Sequence, residues 1–169
     1  MLSLIIPTYN ERDNLATLIP ELFSVFHNHD MTVEVIVVDD GSADGTGAFA
    51  ESLKTKYPIQ LLQRGKKLGL ASAFLDGIKL AHYDIIGLMD ADLSHPPEII
   101  PKLLVPIQKG EAELVFASRS VPGGQTMGGP WYRHLASWLA QMVARPLVGI
   151  RDATSGFFLL KKEVISSVP

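Results

Sequence analysis

The stretch VEVIVVDDGSADGT, residues 33–46, decides the fold. Its first half is a run of Val and Ile too continuous for a half-exposed antiparallel strand, so it reads as a strand covered on both faces. Two carboxylates, Asp39 and Asp40, close the run, and a Gly/Ser/Asp turn leads toward a helix. The pattern repeats on either side. Strands are expected at 2–8, 33–39, 59–63, 85–89 and 114–118. Between the first two, Leu15, Leu18, Ile19, Leu22, Phe23 and Phe26 form one helical stripe. Asn10 is the expected N-cap of that helix and Pro20 its expected kink. Further helices are expected from about 44 to before Pro58, over 70–82, and from Pro96-Pro97 onward with Ile100, Leu103, Leu104 and Ile107 buried. Strand and helix alternating at this spacing specify right-handed βαβ units and a mainly parallel sheet, with ligands bound at the carboxyl ends of the strands.

Composition narrows the function before any motif is read. The 169 residues suit a single domain, and 47% hydrophobic with 20% charged content is globular. With no cysteine there is no disulfide, no thiol nucleophile and no thiolate-held metal. A net charge of -3 argues against a nucleic-acid binder. The longest greasy stretch, 135–150, is broken by Gln141, Arg145 and Pro146, so no span is expected, and the first residues lack the basic region of a signal peptide. A cytoplasmic location follows as the expectation. Mean hydropathy of +0.20 is high for a freely soluble domain and leaves peripheral membrane contact open.

Acidic clusters stand where such a sheet would bind a ligand. Asp90-Ala91-Asp92 follows the strand at 85–89 as Asp39-Asp40 follows the one at 33–39. Two carboxylates one residue apart can hold a hard divalent cation, Mg²⁺ or Mn²⁺, whose other ligands are diphosphate oxygens and water. The plainer reading of each cluster is a capped turn; two clusters at two strand ends weigh against it. Asp40, Ser42, Asp44, Gly45 and Glu51 match the spacing of an EF-hand loop, but that loop leaves a helix and this one leaves a strand. Gly65-Lys66-Lys67-Leu68-Gly69 lacks Walker spacing, no GxSxG elbow occurs, and the five histidines show no metal spacing and read as surface or capping residues. Residues 119–130 are glycine-rich and read as a mobile loop. Beyond it Trp131, Leu135, Trp138, Leu139, Met142 and Val143 form a stripe, either core packing or an amphipathic helix on a lipid surface, while Arg133, Ser137 and Gln141 align at i, i+4, i+8.

Taken together these segments resemble family 2 glycosyltransferases of the GT-A fold, specifically the dolichol-phosphate or polyprenol-phosphate mannose synthases. The matching segments are PTYNE (7–11), DDGSADGT (39–46), KLGLASAFLDG (67–77), DADLSHPPE (90–98), Ser118-Arg119 and RDATSGF (151–157), in the family's order. The resemblance implies an α/β fold and a nucleotide-sugar pocket formed by Pro7, Tyr9, Glu11, Val38, Asp40, Asp90, Ala91 and Asp92. Asp90 and Asp92 would bind the metal, with Asp92 the principal ligand and, with Arg119, the catalytic pair. Arg119, Arg133 and Ser137 would receive the acceptor's phosphate. Some relatives carry glutamine where this chain has Ser94, which would leave that coordination place to water. The family's catalytic domain continues past the TSGF segment, so 1–169 is expected to be one catalytic domain without its C-terminal portion.

The expected reaction is inverting transfer of mannose from GDP-mannose to a polyprenyl phosphate at the cytoplasmic membrane face. A phosphate acceptor is already ionised near pH 7 and needs orientation by arginine rather than a base. A hydroxyl acceptor would need one, and Asp152 is the candidate. The alternatives are a related enzyme using UDP-glucose or another donor, and a donor-binding module that is catalytically incomplete.

Overall fold

The computed structural model describes residues 1–117 and 156–166. The elements run β1 (Leu2–Thr8), α1 (Arg12–Asn28), β2 (Val33–Asp39), α2 (Thr46–Leu53), β3 (Ile59–Gln63), α3 (Leu70–Leu80) and β4 (Ile85–Leu88). A 3-10 turn at Pro97–Ile99 leads into α4 (Ile100–Gln108), and β5 (Leu114–Phe116), β6 (Phe158–Lys161) and α5 (Lys162–Ser166) follow. The sheet has the order β3-β2-β1-β4-β6-β5. Its first four strands are parallel, whereas β6 is antiparallel to both β4 and β5. This is the mainly parallel α/β sheet that the alternation specifies.

Strand alternation sorts the core into two layers. Leu2, Leu4 and Ile6 of β1 join Leu15, Leu18, Ile19 and Leu22 of α1 and Ile100, Leu104 and Ile107 of α4 on one face. Ile5, Ile36, Val38 and Ile86 face the other way, onto Ala73 and Ile78 of α3. Gly77 lets α3 approach β1, since a Cβ there would stand 2.7 Å from Ile5 Cγ2. Buried apolar side chains of this size contribute roughly 1.5–3 kcal/mol each, and the two layers are the fold's main support.

Several boundaries differ from the sequence reading, each for a local reason. Asn10 does not cap α1: it sits at φ 59, its Oδ1 accepts from Ala43 N at 3.0 Å, and Glu11 takes the N-cap position. Pro20 lies on the exposed side of α1, which continues through it to Asn28. The second helix starts later than expected because Asp44 Oδ1 accepts from both the amide (3.0 Å) and hydroxyl (2.6 Å) of Thr46, closing a turn before the helix. The prolines near 96 open a 3-10 turn rather than the helix itself. β6 was not expected; its four residues are too short for periodicity to reveal.

Candidate donor and metal site

β1 is the topological switch point, because the chain moves from it to β2 and β3 on one side and to β4 on the other. In open α/β sheets the crevice outside the carboxyl ends at such a point binds ligands. Thr8 pairs with Asp39, so β1 and β2 end together, and β4, parallel to them, ends toward the same edge with Leu88 opposite Ile5. Counting on from that register brings Asp90 level with Pro7. Tyr9, Asp40, Asp90 and Asp92 are thus gathered at one edge of the sheet.

The two loops leaving β1 and β2 are tied to each other by their polar residues. Asn10 N donates to Ser42 Oγ at 2.8 Å, Glu11 N to Thr46 Oγ1 at 2.9 Å, and Arg12 N to Asp44 Oδ2 at 3.2 Å. Asp44 is held below the usual carboxylate range: its slight burial opposes ionisation, and the donors from Thr46 and Arg12 outweigh it. Asp39 is buried and receives Thr8 Oγ1 (3.1 Å) together with the hydroxyl and amide of Ser42. These bonds explain why the motif needs Ser, Asp and Thr at 42, 44 and 46: each supplies an acceptor to an amide of the neighbouring loop.

Asp40 is committed inside the protein. Its Oδ1 accepts from the buried guanidinium of Arg64, and its Oδ2 from the amides of Leu68 (3.1 Å) and Gly69 (3.0 Å). Arg64 also donates to Ser72 Oγ at 2.8 Å and the Gly69 carbonyl at 3.1 Å. Arg64 and Lys67, whose Nζ lies 3.9 Å from the Tyr9 ring centroid, were both missed by sequence reasoning. The signal was present, since both follow the third strand at the same sheet edge.

Asp90 is half-buried, Ala91 buried and Asp92 exposed, with Asp92 Oδ1 accepting from Ser94 N at 3.0 Å. Gly156 leaves the room that Asp90 occupies, since a Cβ there would overlap its carboxylate. Two hard-oxygen carboxylates fit a Mg²⁺ or Mn²⁺ that keeps water and takes phosphate oxygens as its other ligands. Among the described residues no group of three or more His, Cys, Asp or Glu is placed to hold a metal ion. Val38 and Ala91 turn buried side chains inward, so only their main chain is available to a ligand. His95 is buried with its ring 5.4 Å from that of Phe157, which overturns the surface alternative of its reading as a surface or capping residue. Arg119, Arg133, Ser137, Asp152, the loop at 119–130 and the stripe from Trp131 to Val143 lie outside the described residues. No described helix is long and apolar enough to cross a membrane.

Known proteins share both sequence and architecture with this chain. A dolichol-phosphate mannosyltransferase of Pyrococcus furiosus is 46% identical over 98% of the chain and 47% of its own length. A polyprenol monophosphomannose synthase of Mycolicibacterium smegmatis is 40% identical over 97% of the chain and 63% of its own length. The chain therefore spans about half to two thirds of these relatives. Among solved structures, a mannosyltransferase of Pyrobaculum calidifontis in complex with GDP-Man and Mn²⁺ superposes with a TM-score of 0.68 at 20% identity, over 98% of this chain and 45% of that one. Glucosyl-3-phosphoglycerate synthase of Mycobacterium tuberculosis gives 0.74 at 21% identity, over 100% and 59%. The family model for glycosyl transferase family 2 matches residues 3–168. A GT-A-like sheet, a carboxylate-lined switch point and that match agree: the chain belongs to glycosyl transferase family 2.

Proposed function

We propose that the chain transfers mannose from GDP-mannose to a polyprenyl phosphate with inversion, assisted by Mg²⁺ or Mn²⁺ at Asp90 and Asp92. The observation that carries this is the convergence of Tyr9, Asp90 and Asp92 at the carboxyl edge of the switch point. The metal would neutralise charge on the departing diphosphate. Tyr9, Glu11 and the main chain at Pro7, Val38 and Ala91 would line the donor pocket, with Asp40 shaping its wall. Relatives named for dolichol-phosphate, polyprenol and undecaprenyl-phosphate mannosyl transfer support the lipid phosphate as acceptor. In this reading residues 1–169 act as one domain and Arg119, Arg133 and Ser137 orient the acceptor phosphate. The chain works peripherally at the cytoplasmic membrane face, where the lipid presents that phosphate.

The test is mannose transfer to polyprenyl phosphate in vesicles, with GDP-mannose and Mn²⁺, by the chain and by its Arg119→Lys and Arg133→Lys variants. Charge-assisted contacts contribute about 1.5–3 kcal/mol, so each variant should lose at least about tenfold in rate through its lost bidentate geometry. Full activity in both variants removes them from the acceptor site and favours Asp152 acting as base on a hydroxyl acceptor. Donor binding without any transfer by the chain favours a donor-binding module instead.

A further inference from the structure

The turn that carries Asp92 is held against its own backbone preference. Leu93 stands at φ 59, in the left-handed region. Among the described residues only three non-glycine residues do so, and the other two, Asn10 and Asp30, are of the types whose short polar side chains tolerate that region. A leucine there crowds its Cβ against the backbone, and such a conformation persists only where the surroundings impose it.

The surroundings do impose it. Ala91 and Leu93 both enter the core layer that α1 and α4 share, Ala91 fully and Leu93 half-buried, so that Asp92 between them is left exposed. Asp92 Oδ1 accepts from Ser94 N at 3.0 Å, which folds the carboxylate back over the turn. On the far side His95 is buried against the ring of Phe157, itself fully buried. The side chains at 91, 93 and 95 thus fasten the segment to the interior, and the strained residue is the one next to Asp92. Without its side chain the turn would sample other conformations, and a site that is competent for only a fraction of the time binds more weakly in proportion to that fraction. We propose that Leu93 is a positioning residue: its anchored side chain locks the turn and presents the Asp92 carboxylate beside Asp90, ready for a divalent cation. This rests on the reading of Asp90 and Asp92 as the metal site.

The experiment is manganese titration followed by electron paramagnetic resonance, with thermal midpoints measured alongside, on the wild type and on Leu93→Gly, Leu93→Asn, Leu93→Met and Leu103→Ala. Glycine and asparagine both accept the left-handed region but cannot anchor in the core, so each should weaken Mn²⁺ binding about tenfold. Methionine keeps the apolar body and should stay within about twofold of the wild type. Leu103, half-buried against the same layer from α4, is the control for stability alone: Leu103→Ala should melt earlier and bind Mn²⁺ as the wild type does. Wild-type affinity in Leu93→Gly would show that the turn needs no lock and overturns the proposal. So does a loss in Leu103→Ala as large as that in Leu93→Gly, since affinity would then follow stability. Failure of the wild type to bind Mn²⁺ removes the metal reading together with the proposal, whereas wild-type binding that Leu93→Gly leaves unchanged removes the role of Leu93 alone.

Discussion

The guanidinium of Arg64 is buried against the carboxylate of Asp40, its Nε 2.5 Å from Oδ1, and so joins the end of β3 to the end of β2. The pair lies at the rim of the crevice beyond the strand ends yet faces inward. Removing one partner of such a pair strands a buried charge, which costs about 3–5 kcal/mol. Arg64→Met should therefore lower the unfolding free energy by that amount in urea titrations. A loss under about 1 kcal/mol would mean that the pair is solvated and does not organise the loop.

Gly156 answers to Asp90 in a different way. A Cβ at 156 would overlap the Asp90 carboxylate, so Gly156→Ala should displace it while leaving both core layers intact. The expected outcome is Mn²⁺ affinity reduced about tenfold or more with a thermal midpoint close to wild type. Manganese titration followed by electron paramagnetic resonance checks the first, and calorimetric melting the second.

Gly77 tests packing rather than chemistry. An alanine methyl would press on Ile5 at 2.7 Å, and both groups are buried between α3 and the sheet. Overpacking of this kind costs about 1–3 kcal/mol. Gly77→Ala should melt earlier, and an unchanged midpoint would show that α3 can slide to make room.

At the opposite, amino edge of the sheet, Glu34 accepts from Ser3 Oγ (2.6 Å), Gln60 Nε2 (2.8 Å) and His82 N (2.7 Å). Burial opposes its ionisation, but these donors outweigh burial and hold its pKa below the ordinary value of 4.5. A lowered folded-state pKa stabilises the fold above that ordinary value, and the contribution is lost as pH falls through the folded value. Glu34→Gln should reduce stability at neutral pH by about 1–3 kcal/mol and flatten its dependence on pH below about 4.5. Parallel pH profiles for wild type and variant would contradict the assignment.

The residues differ in how readily they were read. The buried parallel strands were legible because Val, Ile and Leu run unbroken through β1 and β2, and the place of Asp90 and Asp92 beyond a strand end was legible because carboxylates break off the apolar run that ends at Met89. Asn10 was misread because an Asn before a helix suits a cap locally, whereas its partner Ala43 is 33 residues away. Arg64 carried no motif of its own beyond its place just after the third strand, and the folded register brings it to Asp40. The antiparallel β6 depends on pairing with β4, a non-local contact that a four-residue apolar run does not announce.

Asp90 and Asp92 are proposed to couple divalent metal to donor binding at the switch point. Calorimetric titration of GDP-mannose into the chain, with Mn²⁺ and with chelator, and into Asp92→Ala, tests it most directly. Binding in Mn²⁺ should weaken at least about tenfold in chelator and equally in Asp92→Ala, with the variant's fold intact. Equal donor affinity in all three conditions would contradict it.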